Sequence, residues 1–328
     1  MYKYTLFETE PAFFATFKNN VMFANNMHAF VEKIKHLYET KYTYLLVITF
    51  TLVCFALSQI IWQYTTTGDF LHKGVSLKGG VTITIPQYTD IATLEAGLRQ
   101  QYPLNDISVR YLRGSSGEQS GIVVDADISE TIAVQEFVNT IKQQTGMTEL
   151  GVESFGSRLS QDFFKQLFIG LFIAFAFMGF VVFLYFRFFV PSIAVMLSAA
   201  SDIIITLAIL NITGFKISTA GIAALLMLIG YSVDTDVLLT IRVLKQKDTD
   251  SLNDAIYGAI KTGGLMTITA IAAVGSVLLF TNSEVLYQIM HILFIGLFVD
   301  LGTTWIQNVS ILRWYLNKKE TQGEHHGH

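Results

Sequence analysis

Nineteen consecutive residues without a charged side chain, Tyr44–Trp62 (YLLVITFTLVCFALSQIIW), fix the kind of structure this chain can adopt. A helix needs about 20 mainly apolar residues to cross a hydrocarbon core about 30 Å thick. Tyr42, Tyr44, Trp62 and Tyr64 supply aromatic anchors at both ends of the run. Five further spans are predicted near Leu167–Phe186, Val190–Ile212, Thr219–Val243, Gly264–Phe280 and Val285–Tyr315. The last exceeds what a span needs and is expected to emerge from the membrane. With 52% hydrophobic and 15% charged residues, the 328-residue chain carries more apolar surface than one soluble core can hide. It is an integral membrane protein, and its 26 Phe and 4 Pro suit helices packed in lipid. Cys54, the single cysteine, lies in the first span and cannot form an intrachain disulfide.

Between the first two spans the character changes. Alternation at Val81–Ile85 predicts a strand, Ile91–Gln101 a short helix and Ile107–Leu112 a second strand. The Gly114–Gly121 stretch (GSSGEQSG) is a turn or loop. A third strand over Ile122–Ala126, a helix over Glu130–Gln144 and a fourth strand over Leu150–Glu153 complete the order β-α-β-β-α-β. That order is the ferredoxin-like split βαβ. Its lone histidine, His72, reads as exposed and solvated. The expected fold class is therefore an α-helical membrane protein of six transmembrane helices, one plus five, with a ferredoxin-like α+β domain between helices 1 and 2.

Residues 1–42 hold no run long enough to span and no signal-peptide pattern, so no cleaved leader is expected. Phe13, Phe17, Val21, Ala24, Met27, Val31, Ile34 and Tyr38 recur at spacings of three and four. Such a helix suits the membrane interface or a partner's cytosolic surface. Residues 43–64 then form the first span, 65–161 the ferredoxin-like domain, 162–315 the five-helix bundle and 316–328 a tail whose GEHHGH end is expected to be disordered. Six spans put both termini on one side. The N-terminal segment (Lys3, Lys18, Lys33, Lys35, Lys41), the turn at Arg187, the connection with Arg242, Lys245, Lys247 and Lys261, and the end with Arg313, Lys318 and Lys319 share that side. Opposite them, the short loops carry Lys216 alone. The positive-inside rule makes both termini cytoplasmic and the ferredoxin-like domain exoplasmic, in the plasma membrane.

Four carboxylates lie at membrane depth: Asp202 in span three, Asp234 and Asp236 in span four, Asp300 in span six. Each costs about 2.5–3.5 kcal/mol on insertion scales, so all four are expected to face the bundle interior. Asp202 and Asp300 fall near the middle of their spans. Asp202 (with Ser198, Ser201 and Thr206) and Asp300 (with Thr303 and Thr304) are as well read as structural hydrogen-bonding residues as functional ones. The pair Asp234 and Asp236, beside Ser232, Thr235 and Thr240, is the stronger functional candidate, a proton relay. Two positions apart on a helix, its members point to roughly opposite faces. Arg242 reads as a snorkelling residue at the cytoplasmic boundary.

Three motifs in order carry a resemblance: Gly74–Gly80 (GVSLKGG) with its pair Gly79 and Gly80, Glu153–Ser160 (ESFGSRLS), and Gly230–Arg242 (GYSVDTDVLLTIR) with Gly230, Tyr231 and Ser232. Over about residues 43–315 the chain resembles the SecF branch of the SecD/SecF family of protein-export membrane proteins, in its archaeal form. The resemblance implies a non-enzymatic accessory subunit of the SecY/SecE translocon that helps a translocating polypeptide forward on the outer side of the membrane. That family is related to RND transporters, whose two halves each have the one-plus-five layout. With a single half here, the resemblance implies a SecD subunit as partner, besides membrane lipid.

Bacterial relatives read Gly-Tyr-Ser, one residue, then Asn-Asp-Thr, so their proton-coupling acid falls at Thr235, flanked here by acids. Their arginine near the start of span five falls at Gly258, and Lys261, one turn later, is no equivalent of arginine. Two other classes would use the same carboxylates. An RND-type small-molecule or lipid transporter half is one. The other is an intramembrane aspartyl protease, in which Asp234 and Asp300 would face each other. No cofactor, metal site or nucleic-acid partner is expected, and no glycine-rich phosphate loop is present.

Overall fold

The computed structural model describes residues 38–86, 90–113, 119–147, 149–245, 251–281 and 283–324. Most of the expected N-terminal amphipathic stretch and the histidine-rich end lie outside the described residues. Among the described residues, six helices are long and apolar enough to cross a membrane. They are α1 (Tyr42–Thr67), α5 (Ser157–Phe186), α6 (Phe189–Ile212), α7 (Thr219–Leu244), α8 (Leu252–Phe280) and a last one in three parts. The last begins as α9 (Glu284–Gly302), passes through a π-helical turn (Thr303–Asn308) and ends as α10 (Val309–Glu324). Helices α5 and α8 start about three turns before their apolar runs, because hydropathy marks the lipid boundary and nothing in either lead-in breaks a helix. Ser251 caps α8, its Oγ accepting from the Asp254 N–H at 3.1 Å.

Between α1 and α5 lie a one-turn helix α2 (Val75–Lys78), then β1 (Gly80–Ile85), α3 (Ile91–Gln101), β2 (Ile107–Arg113), β3 (Gln119–Ala126), α4 (Thr131–Thr145) and β4 (Gly151–Phe155). The sheet order is β2-β3-β1-β4 with every neighbouring pair antiparallel, the ferredoxin-like arrangement. Val81, Ile83 and Ile85 alternate inward and meet Leu98, Phe137 and Ile141 from the two helices in one buried core. His72 departs from the sequence reading. It is half-buried, with its Nε2 3.1 Å from Gln63 Nε2, because the chain folds back on the end of α1.

This domain is docked on the bundle through named contacts. Lys73 pairs with Ile217 in a parallel bridge, the Gly74 N–H donates to Ile217 O at 2.8 Å, and Ser76 Oγ accepts from the Thr219 N–H at the start of α7. Arg110 on β2 donates to Asp125 on β3 at 2.9 Å and also to Glu284 in the first turn of α9. Gly79 and Gly80 have φ of +91° and +143°; a Cβ at the first would run into Ser157 Cα, and at the second into Ala126 O. Only glycine allows that approach of β1 to the start of α5 and the end of β3. In the bundle, α6 and α7 are the interior helices, and α1, α5 and α8 present Phe55, Phe172, Phe177 and Leu265 outward. That inside-out distribution suits a lipid surround.

A buried carboxylate cluster as candidate functional site

Asp202, Asp236 and Asp300 come from three helices, α6, α7 and α9, and all three are fully buried. The sequence reading paired Asp234 with Asp236. The structure instead gathers Asp236 with Asp202 and Asp300 and leaves Asp234 exposed. The reason is helical geometry: two positions turn a side chain about 200° around the axis. The expectation that all four acids face the interior is corrected for Asp234. So is the imagined opposition of Asp234 and Asp300, since the former points away from α9.

The span-four signature divides in the same way. Ser232, Thr235 and Asp236 are buried on the inner face, whereas Gly230, Tyr231 and Asp234 are exposed on the outer one. Ser232 Oγ donates to Asp202 Oδ2 at 2.5 Å, and Thr303 Oγ1 donates to the other oxygen. Thr304 Oγ1 donates to Asp300 Oδ1 at 2.9 Å, and Thr235 Oγ1 reaches Oδ2 at 3.4 Å. Asn308 Nδ2 donates to Asp236 Oδ1 at 2.7 Å. Gln307 Nε2 donates to Ser201 Oγ at 3.1 Å, and that hydroxyl donates back to Leu197 O at 2.8 Å.

The π turn explains why the last span supplies so many of these groups. Its wider winding changes the register of the last span immediately after Asp300. Thr303, Thr304, Gln307 and Asn308 are all buried as a result. Sequence reasoning named the two threonines and missed the two amides. Their signal was available: adjacent Gln and Asn inside the run TTWIQNVSIL are expensive in lipid without partners.

None of the ion pairs among the described residues reaches the cluster. Arg242 is exposed at the far end of α7, where Nη2 donates to Thr262 Oγ1 at 2.9 Å. A Cβ on Gly258 would lie 3.1 Å from Arg242 Nη1, so a guanidinium fills the space at the position where the bacterial pattern has an arginine. Lys261 is exposed. Gly79 and Gly80 sit far from the carboxylates in the fold, at the joint between domain and bundle. Chemically, the cluster is a fully buried, oxygen-rich site with three ionisable groups, able to take up or release positive charge in the middle of the bundle.

Residues 134–318 match the family model described as protein export membrane protein SecD/SecF, C-terminal. The chain is 40% identical over 255 residues to the protein-export membrane protein SecF of Methanothermobacter thermautotrophicus, covering 75% of this chain and 85% of that one. It is 35% identical over 296 residues to the protein of that name from Pyrococcus furiosus, covering 88% and 96%. In fold it is similar to the crystal structure of SecDF, a translocon-associated membrane protein from Thermus thermophilus, with a TM-score of 0.66 at 17% identity. That match covers 84% of this chain and 38% of the SecDF chain.

Proposed function

The chain belongs to the SecD/SecF family of protein-export membrane proteins, and from that premise we propose that it is the SecF-type subunit which, with SecD, assists SecY/SecE-dependent translocation using the proton gradient. The observation that carries the proton step is the cluster itself. Three carboxylates are buried together, and no cationic side chain among the described residues is paired with them. Three ionised carboxylates so deeply buried would be prohibitively costly. Protons are the simplest neutralising charge, and their exchange would reset the hydroxyl contacts between α6, α7 and α9.

The exposed face of α7 supports SecD as the neighbour. Gly230, Tyr231 and Asp234 line it at membrane depth, and a carboxylate there calls for a hydrogen-bonding partner rather than acyl chains. The lysine and arginine distribution supports cytoplasmic termini and an exoplasmic ferredoxin-like domain in the plasma membrane. On that side the domain is positioned to meet a polypeptide leaving the channel. Its contacts with Ile217, Thr219 and Glu284 join it to the outer ends of α7 and α9, the helices carrying Asp236 and Asp300.

Export of a secreted reporter, in cells depleted of the native subunit, tests this reading. Asp202→Asn, Asp236→Asn and Asp300→Asn are expected to slow export at normal protein level. Wild-type export by all three, singly and together, would sink the coupling. Purification from native membranes should bring SecD and the SecY channel along.

A further inference from the structure

The first span and the end of the last one leave a groove between them, at the end of the bundle where lysines and arginines collect. Tyr42, Thr43, Leu46 and Phe50 of α1 line one wall and Ile311 and Trp314 of α10 the other, around a volume of about 310 Å³ whose surface is almost wholly apolar. From Tyr42 to Phe50 the α1 wall rises about 12 Å at 1.5 Å per residue. That is close to the depth of one leaflet, half of a hydrocarbon core about 30 Å thick. Spread over this length, 310 Å³ leaves a channel about 26 Å² in section. A helix about 10 Å across needs about 80 Å², so the groove admits a hydrocarbon chain and no transmembrane helix.

The mouth of the groove is positively charged. Lys41 directly precedes Tyr42, and its Nζ lies 5.9 Å from the centroid of the Tyr44 ring. Ile311, Trp314 and Lys318 follow one another at helical spacings of three and four, which puts the lysine one turn beyond the tryptophan on the same face. Lys318 Nζ is 5.3 Å from the Trp314 ring centroid. Both lysines are exposed, and none of the ion pairs among the described residues includes either. The neighbouring charges are engaged elsewhere. Glu39 Oε1 accepts from Tyr257 Oη on α8 at 2.7 Å, and the buried Arg313 guanidinium lies 5.8 Å from the Tyr38 ring with Nη1 donating to Glu39 O at 3.5 Å. Trp314 and Tyr44 are 49% and 70% exposed at the same level, as aromatic residues of a headgroup boundary are.

We propose that this groove binds one anionic phospholipid, with an acyl chain between α1 and α10 and the phosphate-bearing headgroup between Lys41 and Lys318. An apolar slot one leaflet deep beneath two unpaired cations matches the two parts of such a lipid. A zwitterionic headgroup would bring its own cation beside the lysines, whereas a headgroup of net negative charge neutralises them. The site is separate from the carboxylate cluster and requires no step of export.

Fluorescence of Trp314 tests it, because brominated acyl chains quench a tryptophan that they touch. The full-length chain is reconstituted in bilayers mixing phosphatidylcholine and phosphatidylglycerol, with one or the other brominated. Trp62→Phe removes the exposed tryptophan at the far end of α1, and Trp305 is buried. Quenching is expected to show a preference for phosphatidylglycerol of about fivefold or more, lost when Lys41→Gln and Lys318→Gln are combined. Arg187→Gln with Lys319→Gln removes the same charge from the same side of the membrane outside the groove, since Lys319 Nζ lies over Phe188 at 5.5 Å, and should keep the preference. Equal quenching by the two lipids overturns the proposal. So does an equal loss in both double variants, which would mean a diffuse surface field, or no quenching by either lipid, which would mean that protein covers the groove.

Discussion

Ser232 on α7 donates a 2.5 Å hydrogen bond to Asp202 on α6, and both side chains are fully buried. The bond ties the family signature to the neighbouring helix through a carboxylate whose other oxygen is held by Thr303. Removing the hydroxyl would strand one carboxylate oxygen, and an unmet buried acceptor costs about 1–3 kcal/mol. Ser232→Ala is therefore expected to lower Tm. A double-mutant cycle with Asp202→Asn should return a coupling of about 0.5–3 kcal/mol. The cycle of Ser232→Ala with Asp234→Asn should return none, because Asp234 faces the other way. Additivity in the first cycle would show that the hydroxyl contributes nothing through Asp202.

The outward carboxylate makes the opposite prediction. Asp234 is exposed, so Asp234→Leu removes no internal contact and should leave the Tm of the isolated chain unchanged or raised. Asp236→Leu removes the Asn308 bond and puts an apolar group among buried polar side chains, and should destabilise by about 2 kcal/mol or more. Association should sort the two in reverse. Co-purification with a co-expressed SecD subunit is expected to fall for Asp234→Leu, and unchanged recovery would remove this face as the docking surface.

Gly79 and Gly80 give a prediction about the joint between domain and bundle. Both have positive φ, and in both an added methyl meets backbone atoms that cannot step aside. Gly79→Ala and Gly80→Ala should each cost about 1–3 kcal/mol and loosen β1 from Ser157 at the start of α5. Gly230→Ala, with nothing within 4 Å of the new methyl, serves as the control that keeps its Tm. Limited proteolysis between α1 and α5 reads the loosening directly.

Much of this architecture was legible in the sequence because it depends on local pattern. Charge-free runs mark spans, and alternation at Val81–Ile85 marks a strand wherever the chain goes next. The site was legible only in parts. Each buried acid stands out at membrane depth, but their grouping depends on how α6, α7 and α9 are rotated against one another, which no single run encodes. Chain adjacency drew attention to Asp234 and Asp236 as a unit, although helical geometry already placed them on opposite faces. Gln307 and Asn308 became visible through the π turn, a register change that hydropathy does not detect. The partner of Asp106 was similarly hidden: Lys216 stood out as the one cation in the short outer loops, 110 positions away in sequence.

That last pair carries a pH prediction. Asp106 Oδ2 accepts from Lys216 Nζ at 3.2 Å and faces Lys78 Nζ at 3.7 Å, linking the turn before β2 to the α6–α7 loop. Partial burial by itself would raise this carboxyl's pKa. The charge and hydrogen bond of Lys216, with the charges of Lys78 and Arg99, outweigh it and hold Asp106 below its ordinary 3.8. A carboxylate depressed in the folded state contributes stability that is complete above the unfolded pKa and disappears as pH falls through the folded one. The Tm difference between wild type and Asp106→Asn should thus be constant from about pH 5 to 7 and shrink as the pH falls below about 4. Half-exposed and open to salt, the contact is worth about 0.2–1 kcal/mol at most, and added salt should reduce the plateau. A difference that instead grew on acidification would mean that burial, not the lysines, governs Asp106.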